Sequence, residues 1–99
     1  MQSVIDFPWK WEHVAASTLV RTGASVLHTI TINRGASQGT ITATVYDGVD
    51  ALGAAIAIID VSDTVVIPTT LLWGLQCDTG IYIALSSEEV SVDLTVTYT

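Results

Sequence analysis

The chain has 99 residues, 49 % of them apolar and only 13 % charged, with three Lys and Arg against ten Asp and Glu for a net charge of −7. This length suits one domain with one core and excludes two. The charge argues against nucleic-acid binding and against an anionic membrane surface, because no basic stripe offsets the repulsion.

The first thirteen residues stand apart. Phe7, Trp9 and Trp11 alternate around Pro8 and Lys10 ahead of any clear strand pattern. Three aromatic rings within five residues hold much burial potential at a terminus, where order is usually low. They read either as an edge strand or arm folded on its own domain, or as a patch docking on a neighbouring subunit, since aromatic side chains are enriched at interfaces. Phe7, Trp9 and Trp11 are therefore the candidate protein-interface residues. Residues 1–13 are taken as an N-terminal arm or edge segment and residues 14–99 as a β-sandwich domain.

From there the dominant period is two, which sends alternate side chains to opposite faces of a sheet. Strands are expected at residues 14–21, 24–33, 40–46, 54–60, 64–67, 70–76, 81–85 and 90–98. In the second, Val26, His28, Ile30 and Ile32 fall on one face, against Leu27, Thr29, Thr31 and Asn33. In the third, Ile41, Ala43 and Val45 point inward and Thr40, Thr42 and Thr44 outward. Residues 55–60 are apolar on both faces, which suits a strand covered on both sides or one making an assembly contact. Pro68 makes the run before it an edge strand or ends it. Trp73 alternates with Leu71 and Leu75 and reads as core or interface. The last run sets Val90, Val92, Leu94, Val96 and Tyr98 against Ser91, Asp93, Thr95, Thr97 and Thr99, and is expected at an edge of its sheet. The β-branched content favours pleated structure throughout.

Turn signals punctuate these runs. Residues 33–39 join two strands at hairpin length, and Asp47-Gly48 opens a tight turn. Leu52-Gly53, Asp78-Thr79-Gly80 and Ser86-Ser87-Glu88-Glu89 mark the others. Turns every eight to twelve residues without a helical window predict an all-β fold. The form expected is a single antiparallel β-sandwich or jelly-roll-like barrel of about 7–8 strands.

The sequence offers little catalytic chemistry. His13 and His28 are the only side chains that titrate near neutrality, and neither has companion ligands or a positioned nucleophile in sequence. Glu12 and His13 are neighbours on a strand and point apart. Asp47-Gly48-Val49-Asp50 and Asp60-Val61-Ser62-Asp63 lack calcium-loop spacing and read as turns. Cys77 has no basic neighbour in sequence to activate it and no partner for an intrachain disulfide. No glycine-rich segment continues into a phosphate loop. The expectation is a protein that is no enzyme, with no cofactor, no metal and no small-molecule substrate.

Several segments together resemble a known family. Val26-Leu27-His28-Thr29-Ile30-Thr31-Ile32-Asn33-Arg34-Gly35 is followed by Ile41-Thr42-Ala43-Thr44-Val45-Tyr46-Asp47-Gly48 and by Ala55-Ile56-Ala57-Ile58-Ile59-Asp60. A closing pair runs over residues 80–86 and 90–98. This ordered set of Asn-x-Gly, Tyr-Asp-Gly, Ile-Ile-Asp and terminal Val-Thr-Tyr resembles small β-sandwich virion structural proteins of tailed bacteriophages, of the capsid decoration or head-protein type. It covers residues 24–99, about three quarters of the chain, and leaves the aromatic N-terminal segment outside.

The resemblance implies a non-enzymatic virion component present in many copies, most simply a capsid decoration protein. It would be made in the host cytoplasm, without a signal peptide, and would bind other virion proteins (the major capsid protein first) as a homo-oligomer. A neck, tail or fibre-base position is the nearest variant. Low charge density suits repeated protein contacts. The competing class is a free carbohydrate-binding sandwich using Trp9, Trp11 and Trp73 as a stacking platform. A secreted adhesin is disfavoured by the absence of a leader-like N-terminus. Nucleic acid and membrane are not expected partners.

Overall fold

A computed structural model of the chain describes residues 9–63, 67–87 and 91–99. The described residues form eight strands: β1 (Lys10–Val14), β2 (Thr18–Thr22), β3 (Ser25–Arg34), β4 (Thr42–Asp47), β5 (Ala54–Asp60), β6 (Thr69–Cys77), β7 (Gly80–Leu85) and β8 (Asp93–Tyr98). They form two four-stranded sheets, ordered β1-β8-β3-β6 and β2-β7-β4-β5, with every pairing antiparallel. Successive strands alternate between the sheets except at the β4–β5 hairpin. This is the strand order of an eight-stranded jelly roll.

The core lies between the sheets. Val14, Leu27, Ile30, Ile32, Leu94 and Val96 come from the first sheet, and Ala43, Val45, Ile59, Ile81 and Ile83 from the second. The inward assignment of Ile41, Ala43, Val45, Val92, Leu94, Val96 and Tyr98 holds, since all are buried. Val90 lies outside the described residues.

Four expectations are corrected. The terminal strand is no edge: β8 sits inside its sheet, bonded to β1 on one side and β3 on the other. Residues 14–21 are not one strand, because residues 15–17 turn the chain from the first sheet to the second. That turn is held by side-chain oxygens: Thr18 Oγ1 donates to the Ala16 carbonyl at 2.6 Å, and Ser17 Oγ accepts the Leu85 N–H at 3.0 Å. Residues 33–39 belong to no hairpin, since β3 and β4 stand in different sheets.

The fourth correction concerns the faces of β3. Leu27 pairs with Tyr98 and Thr29 with Thr97, so β3 carries one extra residue there, His28. A bulge of this kind shifts the alternation by one position. Leu27 and Ile30 therefore both point into the core, while His28 leaves the face it shares by periodicity with Ile30 and Ile32. On the other side of β3, Trp73 and Gly74 fall between the paired Leu75 and Leu72, and Gly74 takes φ +63°.

Of the expected strand at residues 64–67, residues 64–66 lie outside the described ones. Ile67 is not in a strand, and the Ile67–Pro68 bond is cis.

One end of the sandwich is pinned by a carboxylate. Asp47, the last residue of β4, accepts backbone N–H bonds from Asp78 at 3.1 Å, Thr79 at 2.9 Å and Gly80 at 3.4 Å. These donors hold its acid below the ordinary 3.8, because each favours the charged form. Gly80 is needed at this junction: a Cβ there would stand 2.5 Å from the Arg21 carbonyl oxygen and 2.8 Å from that of Gly48.

Candidate functional site: the outer face of the first sheet

Strand pairing places the residues of this face in rows. Trp11 of β1 is opposite Thr97 of β8, Thr97 is opposite Thr29 of β3, and Thr29 is opposite Leu72 of β6. Directly paired residues share a face, so these four side chains cross the sheet in one line. Its two ends are the exposed ones, Trp11 at 70 % and Leu72 at 74 %. The next row runs His13, Thr95, Thr31, Thr70.

The threonines between are tied together. Thr29 and Thr97 share a hydroxyl–hydroxyl bond, and Thr97 Oγ1 also accepts the Thr29 N–H at 3.0 Å. Thr31 and Thr70 are joined at 2.9 Å. Asn33 Nδ2 donates to Thr95 Oγ1 at 2.8 Å. The result is a pre-ordered surface whose polar groups already have partners.

Trp9 belongs to this face. Its indole stacks on His28, with ring centroids 3.8 Å apart and planes 10° from parallel, and it stays 39 % exposed. The His28 Nδ1 lies 3.3 Å from Thr97 Oγ1. The bulge that turns His28 away from the core is what makes this stack possible. Charge gathers at one end of the face, where Asp93 contacts His13 and sits 3.7 Å from Arg34.

Of the residues singled out in the sequence, Trp9 and Trp11 thus come together on one face, beside β8 and β3. Phe7 lies outside the described residues. Trp73 goes elsewhere: with Leu71 and Leu75 it packs against the core, and its buried Nε1 has no hydrogen-bond partner among the described residues. It is partly buried against the core, within the core-or-interface reading of its alternation, so the three indoles do not share a platform.

Leu72 and the His13–Asp93 contact went unanticipated. A signal for Leu72 was present, since adjacent Leu71 and Leu72 cannot both face inward on a strand. The His13–Asp93 contact follows only from the β1–β8 register, which no local pattern reveals.

The outer face of the second sheet is also apolar. Leu19, Tyr82, Tyr46 and Ala55 form one row, and Ala84, Thr44 and Ile58 the next. Ile58 is 69 % exposed, which makes β5 the two-faced apolar strand read from the sequence. Tyr46 and Tyr82 are tilted neighbours at 6.4 Å.

The described residues form no pocket and no cluster of three or more His, Cys, Asp or Glu able to hold a metal. Cys77 is buried, and desolvation, reinforced by the nearby charges of Asp47 and Asp78, pushes its thiol up. Asp60 is held low by the Ser62 side chain and by the Ser62 N–H at 3.0 Å.

A scan of protein-family models, a search of curated proteins and a search of solved structures found no match to this chain.

Proposed function

We propose that this chain is a non-enzymatic structural component of a tailed-phage virion, present in many copies and seated on the capsid as a decoration or stabilising protein. The observation that carries this reading is the exposed Trp11, set beside the Trp9–His28 stack on a face of hydrogen-bonded threonines. A large indole held out on a rigid strand is the kind of anchor that dominates protein–protein contacts. The hydroxyls around it are already bonded, so covering them strands few polar groups.

Three further features support the reading. The ordered sequence segments over residues 24–99 carry the resemblance to phage virion proteins. The jelly-roll strand order occurs in viral capsid domains, among other settings. Both outer faces carry exposed large apolar residues, Trp11 and Leu72 on the first sheet and Leu19 and Ile58 on the second, as suits a subunit with neighbours on more than one side. Many copies on a lattice would add avidity, so single contacts can be weak.

The test uses particles of the encoding phage that lack this chain. Purified wild-type protein should sediment with them, and Trp11→Ala should bind at least about tenfold more weakly, the effect of losing one anchor of 1.4 kcal/mol or more. Wild-type protein that ignores the particles but binds glycans through Trp11 would establish the carbohydrate-binding alternative instead.

A further inference from the structure

One junction of the chain carries reactive chemistry of its own. Asp47-Gly48 is the single Asp-Gly pair in the sequence, and the one asparagine, Asn33, is followed by the bulky Arg34. In an Asp-Gly pair no side chain shields the glycine nitrogen, which can attack the aspartate side-chain carbon. A C–N bond forms, the nitrogen gives up its proton and a carboxyl oxygen leaves as water. Water then opens the succinimide ring at the main-chain carbonyl, and the chain runs on through the side-chain carbon as isoaspartate. One water leaves and one returns, so the product is an isomer of the starting chain.

Both residues of the pair do structural work where they stand. Asp47 is paired with Ile81 on one side and Ala54 on the other. Its two carboxyl oxygens take the N–H groups of Asp78, Thr79 and Gly80, and so hold the turn between β6 and β7. A Cβ on Gly48 would stand 3.1 Å from the Gly53 Cα, so glycine lets the two ends of the β4–β5 loop approach. The labile pair is built into the join between two turns.

The same contacts disarm it. Gly48 is buried, and its N–H donates to the Gly80 carbonyl at 3.2 Å. Attack requires the Asp47 carboxyl to leave the 78–80 turn and the Gly48 nitrogen to give up its own bond. The bonds from Thr79, Asp78 and Gly80 also favour the ionised carboxyl, and a carboxylate is a poorer electrophile than the neutral acid.

We propose that Asp47 is a site of isoaspartate formation, guarded by the β6–β7 turn and reached only when this end of the sandwich opens. Local or global opening frees both reactants together. Isoaspartate lengthens the main chain by one carbon and leaves its carboxyl bonded straight to the chain, so the three N–H bonds cannot re-form in register. Each opening that reacts therefore leaves a chain without its latch. The inference concerns the isolated chain and rests on nothing about a particle.

The experiment follows isoaspartate at residue 47 by peptide mapping with chromatographic separation of the isomers. Wild-type chain is incubated at neutral pH and one temperature, folded in buffer or unfolded in urea. The folded chain should accumulate isoaspartate at least about tenfold more slowly, because the open population multiplies directly into the rate. Gly80→Ala, which presses on the carbonyl oxygens of Arg21 and Gly48, should speed it in folded protein. Equal rates in folded and unfolded wild type overturn the proposal, as does an unfolded chain that forms no isoaspartate there. A Gly80→Ala chain that folds and isomerises no faster than wild type overturns it too. Should that variant fail to fold, exchange of the Gly48 amide in the wild-type chain decides. Folding that slows exchange and isomerisation by the same order supports a shared opening, whereas isomerisation that proceeds behind a strongly protected amide overturns it.

Discussion

The Trp9 indole lies on the His28 imidazole, ring centroids 3.8 Å apart, and this stack fixes the residue before β1 onto the sheet. A stacked pair of this kind is worth about 0.5–1.5 kcal/mol beyond its buried area. Trp9→Ala should therefore lower unfolding free energy by roughly 1–2 kcal/mol and leave the fold intact, read by urea denaturation. A loss of a whole fold's stability would instead make Trp9 a core residue.

Val92, just before β8, and Leu94, on the inner face of β8, are fully buried. Placing an unpaired carboxylate there costs several kcal/mol, against a total stability of about 5–15 kcal/mol. Val92→Asp and Leu94→Asp should yield unfolded or aggregated protein by circular dichroism. The bulge adds a sharper contrast: Leu27→Asp should unfold the chain, whereas His28→Asp should be tolerated.

Asp47 gives a pH prediction. Its folded-state acid lies below the ordinary 3.8, through hydrogen bonds from the N–H groups of Thr79, Asp78 and Gly80. A depressed carboxylate contributes stability that is complete above the ordinary value and drains away as pH falls through the folded one. Asp47→Asn should lower the melting temperature at neutral pH. The difference from wild type should shrink as a melting series is taken down through 3.8. A difference that stays constant with pH would mean the charge contributes nothing.

Gly80→Ala tests the same end of the sandwich by volume alone. The new methyl would press on the carbonyl oxygens of Arg21 and Gly48, and such overpacking costs about 1–3 kcal/mol or more. Thermal unfolding at neutral pH should fall accordingly.

Strand content was legible because this chain alternates so strongly. The runs at β4, β5 and β8 could be read to within a few residues from Ile, Val and Thr spacing alone. The break at residues 15–17 was not legible: Ala15, Ala16 and Ser17 include no glycine or proline, and the turn is stabilised by Leu85, distant in sequence. Sheet membership was hidden for a related reason. Residues 33–39 have the composition of a hairpin loop, and only the packing of two sheets makes them a crossover. The bulge at His28 defeats pattern reading altogether, since Val26, His28, Ile30 and Ile32 look more regular than the true inward set. The candidate face inherits this division. Trp9 and Trp11 stood out as aromatic residues, but Leu72 and His28 joined them only once register was known.

The most direct test of the central reading is an image of the particle. Virions of the encoding phage, purified on a density gradient and labelled with an antibody against this chain, should show label at regular positions over the capsid. Purified virions that carry no label, with the chain remaining in the free fraction of the gradient, would contradict it.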